Sequence, residues 1–96
     1  MQKLTINGSV YDGHCLESDD RLFVYLDGLT IMDGFRIFSD PDNYATIHEV
    51  SYGVERDYTG YNVLIAVNGE YGNCNVTLKR ERMEELSNEG ELESTV

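Results

Sequence analysis

Hydrophobic and polar residues alternate along much of this chain with the two-residue period that is typical of β-strands. The first such segment is Leu4-Thr5-Ile6, after which Asn7-Gly8 predicts a turn and residues 10–11 a returning strand. Residues 22–26 are apolar on both faces, which is typical of a central strand covered on both sides. Residues 14–20 between them offer no periodic apolar face, so a loop is predicted there.

Turn residues divide the middle of the chain into further short segments. Two Asp-Gly pairs, at 27–28 and 33–34, bracket the apolar run 29–32, and residues 35–38 form a second run. This spacing predicts a tight meander of two short strands, because Gly readily adopts the positive φ of hairpin turns. Residues 44–55 alternate again and are predicted to form one long strand, with Gly53 marking a bulge.

The strongest hairpin pattern lies at residues 63–78. Residues 63–67 are apolar, Asn68-Gly69 is a typical hairpin turn, and residues 70–78 alternate so that Cys74, Val76 and Leu78 face one side. The period then changes at residues 79–90, which are rich in helix formers and end at Gly90. This change predicts one C-terminal helix, followed by a disordered acidic tail at residues 91–96.

These elements together predict a mainly β fold, at the margin of the α+β class. We expect residues 1–78 to form a single compact antiparallel sheet or sandwich of about six short strands, with the C-terminal helix packed on it or extending from it. With 96 residues, the chain is long enough for one hydrophobic core and too short for two.

Charge adds the first indication of function. The chain has 18 Asp and Glu against 7 Lys and Arg, a formal net charge of −11. The acids are spread through the predicted strands, since residues 1–78 alone hold twelve acidic and four basic residues. A surface of this charge opposes direct binding to nucleic acid or to an anionic membrane and favours a basic partner, with fast and salt-sensitive association.

Motifs for catalysis and for cofactors give no support to an enzyme. His14, Cys15, His48 and Cys74 match a zinc site in number, but no two are spaced as a ligand pair. An EF-hand beginning at Asp40 fails at its glycine and glutamate positions, and no phosphate-binding or nucleophile motif is present. We therefore expect a non-catalytic protein without cofactor or metal. The absence of a signal sequence or a membrane span favours the cytoplasm, which is the host's if the gene is phage-borne, with both cysteines as thiols.

Acidic residues spaced two apart are the candidate functional feature. On a strand such residues lie on one face roughly 6.6 Å apart, close to the spacing of successive phosphates along a nucleic-acid strand. A folded row of carboxylates is therefore able to occupy a site built for phosphates, with exposed tyrosines as anchors. The predicted contact surface consists of Glu17, Asp19, Asp20, Asp40, Asp42, Tyr44, Glu55, Asp57 and Tyr58.

The profile of a short, strongly acidic, mostly β chain is similar to that of small phage inhibitors such as anti-restriction and anti-CRISPR proteins. It is also similar to that of immunity proteins that neutralise nuclease toxins. The resemblance implies a DNA mimic or a blocker that binds the basic surface of a nucleic-acid-processing enzyme, as a monomer or small homo-oligomer. Three alternatives stay open: acidity that serves solubility alone, a virion or assembly component that associates through a strand edge, and a small-molecule or carbohydrate binder.

Overall fold

The computed structural model describes residues 1–80, which form one seven-stranded antiparallel sheet with a short helix against it. The strand order is β5-β4-β1-β2-β3-β7-β6, and every neighbouring pair is antiparallel. The predicted fold class is confirmed. In chain order the elements are β1 (Gln2–Ile6), β2 (Ser9–Ser18), β3 (Arg21–Asp27), α1 (Ile31–Ile37), a 3-10 helix (Pro41–Tyr44), β4 (Thr46–Ser51), β5 (Val54–Thr59), β6 (Val63–Glu70) and β7 (Asn73–Lys79).

Strand β2 joins the two halves of the sheet. Its first part pairs with β1 as far as Asp12, and its second part pairs with β3 from Gly13 onward. At the change of partner, a Cβ on Gly13 would lie 2.0 Å from the carbonyl oxygen of Tyr25, so only glycine fits. The loop predicted at 14–20 is therefore wrong: β2 continues to Ser18, and only Asp19 and Asp20 form the turn.

Residues 27–38 form a helix where a meander was predicted. Thr30 caps α1, since its hydroxyl accepts the N–H of Asp33 while the Asp33 carboxylate accepts the N–H of Thr30. Gly34 is a packing residue and not a turn residue, because a Cβ there would lie 2.5 Å from Sγ of Cys74. The missing side chain lets α1 approach β7 closely, and this long-range contact overrides the local strand preference.

The long strand predicted at residues 44–55 is also wrong. The chain reverses at Tyr52-Gly53, where φ is +50° and +84°, and β4 and β5 pair as a hairpin on either side. Two successive positive φ values are those of a type I′ turn, whose twist matches that of paired strands.

The hairpin of β6 and β7 is confirmed, but its turn is displaced. Asn68-Gly69 lies within β6, and the reversal occurs at Tyr71-Gly72, with φ of +49° and +81°. The inward direction of Cys74, Val76 and Leu78 is confirmed, as all three are buried.

The core lies on one face of the sheet, called here the inner face. Side chains from β1, β3, β4 and β7 alternate into it, and the region between α1 and β4 adds Phe38 and Tyr44. Cys15 and Cys74 are free thiols and both are buried. The three-residue connection between β5 and β6 places Tyr61 in the core, 1% exposed, and so brings the two edge strands of the sheet to one corner.

Within residues 1–80, the structure contains no helix with the length and apolar character that a membrane crossing requires. Lys79 ends β7 and Arg80 follows it. The remainder of the predicted C-terminal helix, together with the predicted tail at 91–96, lies outside the described residues.

Candidate functional site

The predicted acidic contact residues lie in three separate places: the end of the β2–β3 hairpin, the start of the 3-10 helix, and β5. At the first, Glu17 accepts a hydrogen bond from the hydroxyl of Tyr61, and its Oε2 lies 3.8 Å from Nη2 of Arg80. The Arg80 guanidinium covers the Tyr61 ring at 4.4 Å, and its backbone N–H donates to the carbonyl of Asp20. Glu17 thus helps to close the corner where β5 and β6 meet.

Asp19 and Asp20 form the turn itself. Asp19 has φ of +56°, so Glu17 and Asp19 do not continue as an extended row. Glu17 and Asp19 therefore lack the two-residue strand spacing, which required an extended chain.

Asp40 and Asp42 are not on a strand either. Asp40 is the N-cap of the 3-10 helix, and its Oδ1 accepts the backbone N–H of Asp42 at 3.0 Å. The predicted strand spacing of this pair is wrong, because Pro41 begins a helical turn. Both carboxylates are exposed at the surface.

Glu55 and Asp57 do form the predicted row, on the outer face of edge strand β5. Their side chains are 68% and 61% exposed, and His48 of β4 lies between them. Nδ1 of His48 is 2.6 Å from Oδ1 of Asp57, and its Nε2 is 3.1 Å from Oε1 of Glu55. The hydrogen bond to Asp57, followed by the charges of both carboxylates, raises the pKa of His48. His48 therefore stays protonated to a higher pH than a free imidazole does.

The tyrosines proposed as exposed anchors are mostly in the core. Tyr44 is 2% exposed and packs on Phe38, with ring centroids 5.1 Å apart. Tyr58 is 6% exposed, because it pairs with Ile47 on the inner face of the β4–β5 hairpin. The prediction that Tyr44 and Tyr58 flank an open contact surface is therefore wrong, whereas Tyr52 in the β4–β5 turn is 77% exposed.

Sequence reasoning missed Glu49, which is the one charged residue buried among residues 1–80. Its Oε2 accepts the backbone N–H of Cys15 at 2.8 Å, and its Oε1 accepts the hydroxyl of Tyr58 at 3.0 Å. Burial, and then the bond to Glu49, raise the pKa of Tyr58 to about 12, so this hydroxyl stays a donor at neutral pH. The two-residue period of a strand was the available signal for this burial. Glu49 lies two residues after the buried Ile47 and therefore on the same face of β4.

Glu49 lies in the wall of a pocket of about 390 Å³ between β2 and the β4–β5 hairpin. Burial, and then the Glu49 charge, raise the pKa of the Cys15 thiol in the same wall, which leaves it protonated and a weak nucleophile. The residues that line the pocket are Gln2, His14, Cys15, Leu16, Glu49, Ser51, Tyr52, Val54 and Arg56.

Residues 1–80 hold no group of three or more His, Cys, Asp or Glu side chains arranged to bind a metal ion. Comparison with protein-family models, with curated proteins and with solved structures gives no match to this chain.

Proposed function

We propose that this protein is a non-catalytic binding protein whose acidic surface covers the basic surface of a nucleic-acid-processing enzyme. The proposed class comprises phage anti-defence inhibitors, such as anti-restriction and anti-CRISPR proteins, and toxin immunity proteins. The support comes from charge placement: residues 1–80 carry twelve acids against six bases, and Glu49 is the only one of these acids that is buried.

The observation that carries the proposal is the Glu55–Asp57 row. Both carboxylates project from the same face of a strand, at the roughly 6.6 Å repeat that strand geometry imposes. The row lies at the edge of the sheet, where a partner is able to approach without obstruction by a further strand. Oppositely charged surfaces of this kind increase the rate of association more than they increase affinity.

The test is capture of partners from the lysate of the native host, using the tagged full-length protein at low and high salt. Recovery of a nucleic-acid enzyme at low salt, with release by added DNA, is the expected result, because DNA competes for the same basic site. Recovery of no such enzyme, or of one that DNA does not displace, would refute the proposal.

A second candidate function rests on the opposite edge of the sheet. Edge strand β5 carries Glu55, Arg56 and Asp57, which discourage pairing with another strand, whereas residues 63–69 of β6 carry no charge. Ile65, at a bulge in β6, is 44% exposed. This edge favours a virion or assembly component that associates through added strands.

Mass in solution tests this second function. An assembly component is expected to oligomerise alone, and Ile65→Lys is expected to return it to a monomer by placing a charge on the edge. A wild-type protein that is monomeric at all concentrations would exclude it.

A further inference from the structure

The Glu49 carboxylate is buried without a cation in direct contact with it. Its two hydrogen-bond donors, the Cys15 N–H and the Tyr58 hydroxyl, are both neutral, and no ion pair to it lies within 4.0 Å among the described residues. The residue is 5% exposed. A buried carboxylate is costly unless a positive charge compensates it, so the site is electrostatically incomplete.

The carboxylate also has unused capacity for hydrogen bonds. A carboxylate offers about four acceptor positions, and only two are filled here. The pocket that it lines, at about 390 Å³, lies in the size range of roughly 300–1,000 Å³ that is usual for ligand clefts. There is thus room beside Glu49 for a donor that comes from outside the chain.

The remaining walls suit the stem of a long side chain. Leu16, Val54 and the buried Cys15 supply apolar surface, and the exposed ring of Tyr52 lies at the turn that borders the pocket. Lys and Arg bury their methylene stems against such surfaces while their charged ends reach polar partners, and a cation is further attracted to the face of an aromatic ring.

We propose that this pocket receives one cationic side chain, a lysine ammonium or an arginine guanidinium, from the basic partner. The inference deepens the proposed function and rests on it for the source of the cation. Glu49 and the Glu55–Asp57 row lie on opposite faces of the β4–β5 hairpin, so a partner that uses both contacts reaches around edge strand β5. Desolvated contacts such as the one at Glu49 usually dominate binding energy.

Arg56 is the chain's own competitor for this position. It lies opposite Glu49 in the β4–β5 register and lines the pocket, where its exposed side chain interacts with the Tyr58 hydroxyl but makes no ion pair with Glu49. Removal of Arg56 is therefore expected to strengthen binding of an external cation. If the pocket instead took an anion at Arg56, the same change would weaken binding.

The experiment is an NMR titration of the ¹⁵N-labelled full-length protein with the peptide acetyl-Gly-Gly-Lys-Gly-Gly-amide. The same peptide with norleucine in place of lysine is the matched control, since it keeps the stem and lacks the charge. The expected result is a saturable shift of the Cys15 amide, which donates to Glu49, with the lysine peptide only. Arg56→Ala is expected to tighten this binding several-fold, and Glu49→Gln to weaken it at least tenfold.

Equal shifts with the norleucine peptide, no shift at Cys15, or weaker binding by Arg56→Ala would each overturn the proposal. The wild-type titration and the Arg56→Ala variant keep the test decisive even if Glu49→Gln does not fold. The peptides probe the pocket without any partner. Shifts confined to β5 would therefore refute the proposed cation site and would not contradict the proposed function of the acidic surface. A positive titration with a failed capture of nucleic-acid enzymes would refute the proposed function and keep the cation site.

Discussion

The most specific energetic consequence of the structure concerns the Tyr58 hydroxyl. Tyr58→Phe removes one of the two donors that hold the Glu49 carboxylate and leaves the aromatic packing in place. A hydrogen bond to a charged group contributes about 1.5–3 kcal/mol, roughly twice the contribution of a neutral one. The ring is buried and Phe keeps its packing, so the change in the free energy of unfolding reports mainly the lost hydrogen bond.

Tyr44→Phe provides the matched control because it deletes the same atom from a ring of similar burial. The Tyr44 hydroxyl lies 3.5 Å from the carbonyl of Asn62, a neutral acceptor at the long limit of a hydrogen bond. We expect this control to cost at most about 0.5 kcal/mol, below the range for a well-formed neutral bond. The difference between the two variants, about 1–2.5 kcal/mol, measures what the charge of Glu49 adds.

Urea unfolding followed by circular dichroism measures both free energies, with m-values that are expected to stay equal to that of the wild type. If Tyr58→Phe costs about 1.5 kcal/mol, the lower end of the range given above, the unfolding temperature should fall by about 6–12 °C. If Tyr58→Phe and Tyr44→Phe destabilise the protein equally, the assignment of Glu49 as a buried carboxylate held by Tyr58 is wrong.

Two further predictions follow from individual side chains. His48 should titrate above its usual pKa of 6.5, and Asp57→Asn should lower that value; NMR of the imidazole protons reports both, and an unchanged titration in Asp57→Asn would contradict the contact. Because the folded pKa is raised, the stabilisation from His48 is complete below the unfolded pKa and fades as the pH rises through the folded one, which stability measurements across that window check. Gly34→Ala should destabilise by about 1–3 kcal/mol, since its Cβ would meet Cys74 Sγ at 2.5 Å, and a denaturant midpoint equal to that of the wild type would show that α1 is not packed as described.

The sequence carried enough local information to predict the fold class. Alternation in β1 and β7, the apolar run of β3 and the Asn7-Gly8 turn are signals within a few residues, and each predicted correctly. The helix at 31–37 could not be predicted in the same way, because its aromatic and branched residues favour strands. What selects the helix is the contact of Gly34 with Cys74, forty residues away along the chain. The Thr30–Asp33 capping box was the one local signal available.

In the candidate site, too, the features set by local sequence were predictable and those set by long-range pairing were not. The common face of Glu55 and Asp57 follows from the strand period alone, and the structure places them so. The burial of Tyr58 depends on its pairing with Ile47, which is defined only once the turn is placed at Tyr52-Gly53. Because hairpin pairing is a long-range property that one misplaced turn changes, an exposed anchor was predicted where a core residue lies.

The role of the Glu55–Asp57 row is tested by the rate of association with the captured partner, measured as a function of salt for three forms of the protein. Wild type is compared with Glu55→Lys/Asp57→Lys and with Asp27→Lys/Glu70→Lys, which makes the same change in net charge at the far ends of β3 and β6. We predict that the β5 double variant associates about tenfold or more slowly, with a reduced salt dependence, while the control changes little and all three forms remain folded under the assay conditions. Equal slowing by both double variants would show that net charge alone governs association and would contradict a role for the Glu55–Asp57 row.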